Sequence, residues 1–487
     1  MRQFQALAFD FGASTGRAIL GTLRDGELSY WELCRFDNVP IQRNGCLCWD
    51  VDALMDGVRE GVRRAGSFDS LAFDTWGVDF GLLDGSGALL SPPVHYRDDR
   101  TAGLAKRVSD ALGAEELYRK TGTQTMDINT LFQLLALKEQ RPELLERAET
   151  LLFMPDLLAY LLSGAAVCER TIASTSQMLD PERGVWRTEL LESLGLPARL
   201  LRPVVPSGTV TAELPGGAKV VAAAGHDTQC AAAAAPLSGG DEAFLSCGTW
   251  SLLGTELDGP ILTPESAALG LSNETGADGR TQYLKNIIGL WLIQESRRQW
   301  RREGTEYSFS HLEELALGAE PFRCFIDPDA PLFTPPGDLP ERIRRYCRET
   351  GQSEPLGVGG TVRCIYESLA LKYRLALEQL ARMTGKRFTA LHIVGGGAQA
   401  RLLCRMAASS CGVPVEAGPV EATALGNLLV QWVALGALPD LAAGRRLIAK
   451  SERPVRYEPE EAERWNRAYG AFLKIINRGT PKSGAGV

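Results

Sequence analysis

A strand that ends on an acid and turns at once through glycine constrains this chain more than any other stretch. Leu7-Ala8-Phe9-Asp10-Phe11-Gly12-Ala13-Ser14-Thr15-Gly16-Arg17-Ala18-Ile19-Leu20-Gly21-Thr22 reads as an apolar strand, a tip of small and hydroxyl residues, and a second apolar strand. No helical spacing follows: Asp25-Gly26 marks another turn, and Glu27 to Phe36 reads as a third strand. A P-loop would end in Gly-Lys-Ser/Thr and open a helix, and a dinucleotide-binding turn would also open a helix, so neither describes this stretch. A glycine hairpin tip can offer several backbone N–H groups to a phosphate, and an acid beside it can reach a metal ion. The same residues also suit an ordinary hairpin whose Asp opens the turn.

The pattern returns at Phe244-Leu245-Ser246-Cys247-Gly248-Thr249-Trp250-Ser251-Leu252-Leu253-Gly254-Thr255, with a tighter tip and with Ser246 where Asp10 stands. A repeat of this kind predicts two similar domains, joined near Pro236 to Gly240. We place them at 1–238 and 239–478, with a disordered tail at 479–487. A chain of 487 residues is long enough for both. The net charge of −8 argues against nucleic acid or an anionic membrane as partner. Eleven cysteines form no paired zinc spacing, Cys46-Leu47-Cys48 included, and an odd count suggests reduced thiols in a cytosol. The N-terminus enters a strand at once, which leaves no room for a signal peptide. Ala422 to Leu438 is strongly apolar, but Asn427 and Gln431 interrupt it, so it reads as a buried helix and not a membrane span.

Between these landmarks the chain alternates strand and helix patterns. Val51 to Ala65 has helical spacing, and Ser70 to Phe73 is a strand that ends on a second acid, Asp74. Thr101 to Ser163 reads as mostly helical, Cys168 to Pro181 and Pro197 to Pro215 as surface loops. Leu284 to Arg301 and Val358 to Met383 have helical spacing. A small-residue strand, Ala218 to Ala224, delivers Gly225-His226-Asp227-Thr228 and a run of alanines. Asp227 there is either a general base, favoured as a carboxylate by the helix N-terminus, or a plain helix cap. Gly395-Gly396-Gly397 after a strand permits close approach of a ring or sugar, or makes a tight turn. Trp76, Asp79, His95, Tyr96 and Arg97 combine aromatic faces with polar tips, as a polyol site or a core would. With only four histidines, metal binding by histidine is not supported.

Taken together, Asp10 to Arg17, Asp74-Thr75-Trp76-Gly77-Val78-Asp79-Phe80, Tyr96-Arg97-Asp98, His226-Asp227-Thr228, Gly248-Thr249-Trp250-Ser251, Lys285 to Trp291, Val394 to Gly397 and Gly418-Pro419-Val420-Glu421-Ala422 resemble the FGGY carbohydrate kinases over nearly the whole chain. The resemblance implies an α/β fold of two actin-like (ribonuclease-H-like) domains with a nucleotide cleft between them. It implies ATP and Mg²⁺, and phosphoryl transfer to the 1-hydroxyl of L-rhamnulose as the first choice of acceptor. L-fuculose, ribulose, xylulose or glycerol are the sister alternatives, and an actin-like ATPase binding module is the rival from another class. By motif, Ala13, Ser14, Thr15, Gly16 and Arg17 would contact the ATP phosphates, and Thr249, Gln294 and Gly396 the nucleotide. Gly77, His226, Asp227, Thr228 and Asn286 would contact the sugar, Asp227 also accepting the proton. Asp10 is placed near Mg²⁺ by the actin-like pattern. Asp127 departs from the family's more apolar run before Asn129-Thr130 and bears on sugar preference if it lines the pocket.

Overall fold

A computed structural model describes residues 3–479. The chain divides into two compact units. The first holds the residues up to Pro236 together with Glu256–Leu284 and Glu421–Glu452; the second holds Leu237–Thr255, Lys285–Val420 and the chain from Arg453 onward. The first change of unit falls at the expected joint, but two later segments rejoin the first unit, so a single cut at 238/239 does not describe the compactness. Hydrogen bonds fasten both: Asn273 donates to the Gly122 carbonyl at 3.0 Å, and Asn427 donates to Asp74 at 2.7 Å. Of the tail expected at 479–487, only Gly479 is described, as the end of helix Ala462–Gly479; the rest lies outside the described residues.

In the first unit a six-stranded sheet runs in the order Thr209–Glu213, Lys219–Ala222, Ser70–Thr75, Gln3–Phe11, Thr15–Arg24, Glu27–Asp37. Gln3–Phe11 pairs antiparallel with Thr15–Arg24 and parallel with Ser70–Thr75. Asp10 therefore stands opposite Arg17 on one side and Asp74 on the other. In the second unit Glu242–Cys247 repeats this arrangement, antiparallel to Trp250–Leu257 and parallel to Ala390–Val394. The repeat read in the sequence is thus a repeat of strand order and of pairing sense.

Helix Ala422–Ala434 packs on the first unit's strands. Its two buried polar side chains bond to those strands: Gln431 accepts from the Ser70 hydroxyl at 2.7 Å and donates to the Leu7 carbonyl at 3.2 Å. Asn427 reaches Asp74 in the same way, so neither amide is left unpaired in an apolar setting. None of the described helices is long and apolar enough to cross a membrane. Helix Asp227–Ala234 lies against Ala422–Ala434, and the alanine run with Gly426 allows the backbones to close up: a Cβ at Gly426 would sit 1.8 Å from the Cys230 carbonyl oxygen.

Three local expectations are corrected. Pro197 to Pro215, expected as a loop, contains strand Val204–Val205 and the sheet's edge strand Thr209–Glu213. Leu284 to Ile288 belongs to strand Thr281–Ile288, and the helix is Trp291–Arg302, because Gly289 packs under Ser251 and breaks the helical run. Cys168 to Asp180 is not a surface loop: it contains helix Arg170–Ser174 and is almost wholly buried, its polar groups hydrogen-bonded inside the unit.

Gly426→Ala is expected to destabilise the protein by about 3 kcal/mol or more, since the clash is with backbone. Gly470→Ala, in a helix with open space at the Cβ position, should stabilise by ~0.5–1 kcal/mol. Urea unfolding of the two variants checks both signs.

Candidate active site

The Gly225-His226-Asp227 turn is built from behind by a buried carboxylate. Glu169 accepts N–H bonds from Thr171, Ile172 and Gly225 at 2.9, 3.1 and 2.9 Å, and hydroxyl bonds from Thr171 and Ser207, each at 2.6 Å. The Thr75 N–H donates to the Gly225 carbonyl at 2.9 Å, which aligns the turn with the end of strand Ser70–Thr75. Asp227 then begins helix Asp227–Ala234, with His226 as its cap residue. Its Oδ1 accepts from the Thr228 N–H at 2.6 Å and faces the Thr228 hydroxyl at 3.3 Å. The side chain keeps 31% of its exposure, enough to meet a ligand. Burial pushes the Asp227 pKa up to about 6; His226 opposes the rise and the Asp10 charge adds to it.

His226 is clamped between two acids. Its Nδ1 lies 3.0 Å from Glu274 Oε2 and its Nε2 lies 3.5 Å from Asp227 Oδ1. Burial disfavours the imidazolium, but Glu274 and the Asp227 and Glu169 charges together outweigh it and the His226 pKa is raised. Glu274 also accepts from Gln229 Nε2 at 2.7 Å. Sequence reasoning missed Glu274, which sits on strand Leu271–Thr275 with no motif around it. It missed Glu169 by reading its segment as a loop.

At the opening hairpin, the Gly12 N–H donates to the Thr15 carbonyl at 2.9 Å, and Asn38 ties down both ends of the tip through Gly12 O and Ser14 O, each at 3.0 Å. Arg17 donates to Asp10 Oδ2 through Nε at 3.0 Å and Nη2 at 2.7 Å, and pairs with Glu421 as well. Burial works against its charge, but the two carboxylates more than offset that and its pKa is raised. Gly16 is required by packing, because a Cβ there would lie 2.3 Å from the Phe36 ring. Asp74 is fully buried; burial and then the Asp10 charge raise its pKa well above the usual aspartate value, and Asn427 donates to its Oδ2 at 2.7 Å. Gly77 follows the same strand, and a Cβ there would press on Thr175 at 3.2 Å. The first unit therefore brings Asp10, Arg17, His226, Asp227 and Thr228 into one electrostatically coupled group.

In the second unit, the Thr249 hydroxyl donates to Gln294 Oε1 at 3.2 Å, next to a tip in which the Gly248 N–H donates to the Trp250 carbonyl at 2.8 Å. Asn286 is half-buried on strand Thr281–Ile288. The three glycines after strand Ala390–Val394 divide by role. A Cβ at Gly397 would strike Cys247 Sγ at 2.2 Å and one at Gly395 would approach the Cys247 carbonyl, whereas Gly396 faces open space. Two make the tight turn, and the middle one is free to meet a ligand.

Other candidates resolve as structure. Asp79 is buried, and both of its oxygens are engaged inside the protein: Oδ2 accepts from Trp49, Trp76 and the Tyr96 N–H, and Oδ1 from Gln133. Trp76, His95 and Tyr96 are buried core around it, and burial followed by the Arg97 charge lowers the His95 pKa to about 3. Asp127 accepts from the Gly103 and Ala105 N–H groups at the start of helix Leu104–Leu112, and so holds a helix end.

With this geometry in hand, known proteins supply a comparison. The N-terminal domain of the FGGY family of carbohydrate kinases matches residues 5–234, and the C-terminal domain of that family matches residues 243–435. A rhamnulokinase of Bacteroides thetaiotaomicron is 42% identical, covering 96% of this chain and 99% of its own length. One of Enterococcus faecalis is 40% identical over 96% and 97%. Among solved structures, a xylulose kinase of Lactobacillus acidophilus superposes with a TM-score of 0.78 at 17% identity, covering 97% of this chain and 98% of its own. Plasmodium falciparum glycerol kinase with ADP gives 0.79 at 14% identity, covering 99% of each chain. The last two support the fold.

The raised pKa of Asp227 has a signed consequence for stability. Its folded value, about 6, lies above the ordinary carboxylate value of about 3.9, so the folded state binds the proton more tightly. That contribution is complete below about pH 4 and is lost as pH rises through 6. Asp227→Asn should therefore melt above the wild type at pH 7.5 and converge with it near pH 4.5, as differential scanning fluorimetry across pH can follow.

Proposed function

This chain belongs to the FGGY family of carbohydrate kinases, and from that premise we propose that it transfers the γ-phosphoryl group of ATP to the 1-hydroxyl of L-rhamnulose. The products are L-rhamnulose 1-phosphate and ADP, a step of L-rhamnose breakdown. The substrate comes from the two rhamnulokinases that match this chain almost end to end. The chemistry rests on one observation: Asp227 is a partly exposed carboxylate at a helix start, tuned to about 6 and flanked by a clamped histidine. A base of that strength is mostly ionised at neutral pH and still basic enough to take a hydroxyl proton.

In this reading Asp227 accepts the proton of the sugar O1 as that oxygen attacks the γ-phosphorus, and the bond to the ADP oxygen breaks. His226, Thr228, Gly77 and Asn286 orient the sugar, with Glu274 fixing the imidazole so that Nε2 faces the reacting side. Backbone N–H groups of Ala13 to Gly16 hold phosphate oxygens, with Arg17 beside them. Thr249, Gln294 and the open face of Gly396 hold the nucleotide. Residues 1–238 thus supply the base, the phosphate-binding tip and most of the sugar contacts, and residues 239–478 supply Asn286 and the Thr249, Gln294 and Gly396 contacts to the nucleotide. Phosphoryl transfer needs positioning and charge neutralisation more than covalent help. The donor chemistry fits a hard divalent cation: Asp10 and Asp227 repel each other, and oxygen ligands suit Mg²⁺. Asp10 would hold it, and when bound it supplies charge neutralisation at the phosphates. Eleven free thiols, eight of them buried, suit a reducing cytoplasm.

ADP release driven by a panel of L-rhamnulose, L-fuculose, ribulose, xylulose and glycerol is expected to be fastest with L-rhamnulose. Release indifferent to every sugar would favour an actin-like ATPase, and release driven by another acceptor would change only the substrate. Asp227→Asn should keep KM for both substrates within a few-fold while kcat falls ~10²–10⁴-fold. In the wild type, kcat/KM should rise with pH through about 6, as Asp227 loses its proton.

A further inference from the structure

Three buried thiols meet in the second unit, well apart from one another in sequence. Cys324, Cys347 and Cys364 are at most 2% exposed, and their sulfurs all lie within 4.8 Å of one another. All three are free thiols. Cys324 lies on a segment outside helix and strand, Cys347 on helix Leu339–Glu349 and Cys364 on helix Gly357–Thr384. Isolated buried cysteines serve as small apolar side chains. Convergence from three separate elements is a different matter, because a packed core has no need to gather its sulfurs.

The scaffold that gathers them is fastened without using sulfur. The Ile326 N–H donates to Ser368 Oγ at 3.0 Å, and the Phe322 N–H donates to Glu367 at 2.8 Å, which fixes the Cys324 segment to the Cys364 helix. Gln352 accepts from the Phe325 N–H and donates to the Phe325 carbonyl, each at 2.8 Å, while its own N–H donates to the Cys347 carbonyl at 2.8 Å. The Cys347 end is thereby tied to the same segment. A cavity of about 260 Å³ reaches the cluster, lined by Cys324 and Cys364 with Glu320, Arg323, Leu356 and Glu367. It gives an ion a way in and leaves room for a water ligand.

We propose that Cys324, Cys347 and Cys364 form a three-thiolate site for a zinc ion, with a water from the adjoining cavity as fourth ligand. Sulfurs bound to tetrahedral zinc at about 2.3 Å stand about 3.8 Å apart, so movements of a fraction of an ångström or so would suffice. Thiolates prefer soft or borderline cations to Mg²⁺. Between zinc and monovalent copper, the divalent ion leaves less net negative charge in a buried site. Binding releases the three thiol protons to solvent, and the ion ties one segment and two helices together. The site is independent of the reaction proposed above, and its ion takes no part in it.

The test uses the full chain, purified under a phosphine reductant from cells grown with added zinc. Elemental analysis after exhaustive dialysis is expected to find about one zinc per chain in the wild type and in Cys34→Ser, and a loss of at least ~10-fold in occupancy in Cys347→Ser and Cys364→Ser. Should those variants fold poorly, cobalt(II) titration of the reduced wild type gives a separate reading. It is expected to saturate at one equivalent with intense thiolate-to-cobalt charge-transfer absorption, abolished by competing zinc. Negligible zinc together with no such absorption would overturn the site. So would retention of zinc by both folded serine variants, or a disulfide joining two of these cysteines in the protein as isolated from the cell.

Discussion

Asp10, Asp74 and Asp227 sit close enough in the first unit that the charge of one raises the proton affinity of another. Three carboxylates cannot all stay ionised in a poorly hydrated interior. The fold resolves the conflict by giving each acid a different partner: Arg17 pairs with Asp10, the Asn427 amide bonds to Asp74, and His226 with its Glu274 clamp faces Asp227. The helix Ala422–Ala434, the hairpin register and the Glu169-bound turn are all arranged around that separation. A base of intermediate strength is what remains at the one acid with solvent access.

The alternation of apolar strand, glycine tip and apolar strand made both hairpins legible, because a period of two and a turn residue are local signals. The buried nature of Ala422–Ala434 was legible too, since Asn427 and Gln431 argue for hydrogen-bonded partners inside a protein. Asp227 stood out because a strand delivered it to a helix start.

What escaped the sequence was long-range. Glu274 meets His226 only after the chain has left the first unit and returned, and no local pattern encodes that pairing. Glu169 was hidden because its polar neighbours resemble a loop; their hydrogen bonds are made inward. Asp79 and its aromatic company read as either a sugar site or a core, since a carboxylate among Trp and Tyr suits both, and only the four donors on Asp79 favour the core. The cysteines form no metal spacing along the chain because their three elements converge only through tertiary packing.

The duplicated sheet has one asymmetry. Where the first copy sets Asp10 beside Asp74 at the ends of adjacent parallel strands, the second sets Ser246 beside Val394. One strand arrangement thus carries two electrostatic surroundings, one with paired carboxyls and one without them at the matching positions. The neutral copy can change its tip residues with little effect on proton equilibria, whereas the acidic copy cannot alter one carboxyl without retuning the others. A substitution at Asp10 therefore shifts the proton affinities of Asp74 and Asp227, whereas one at Ser246 faces Val394.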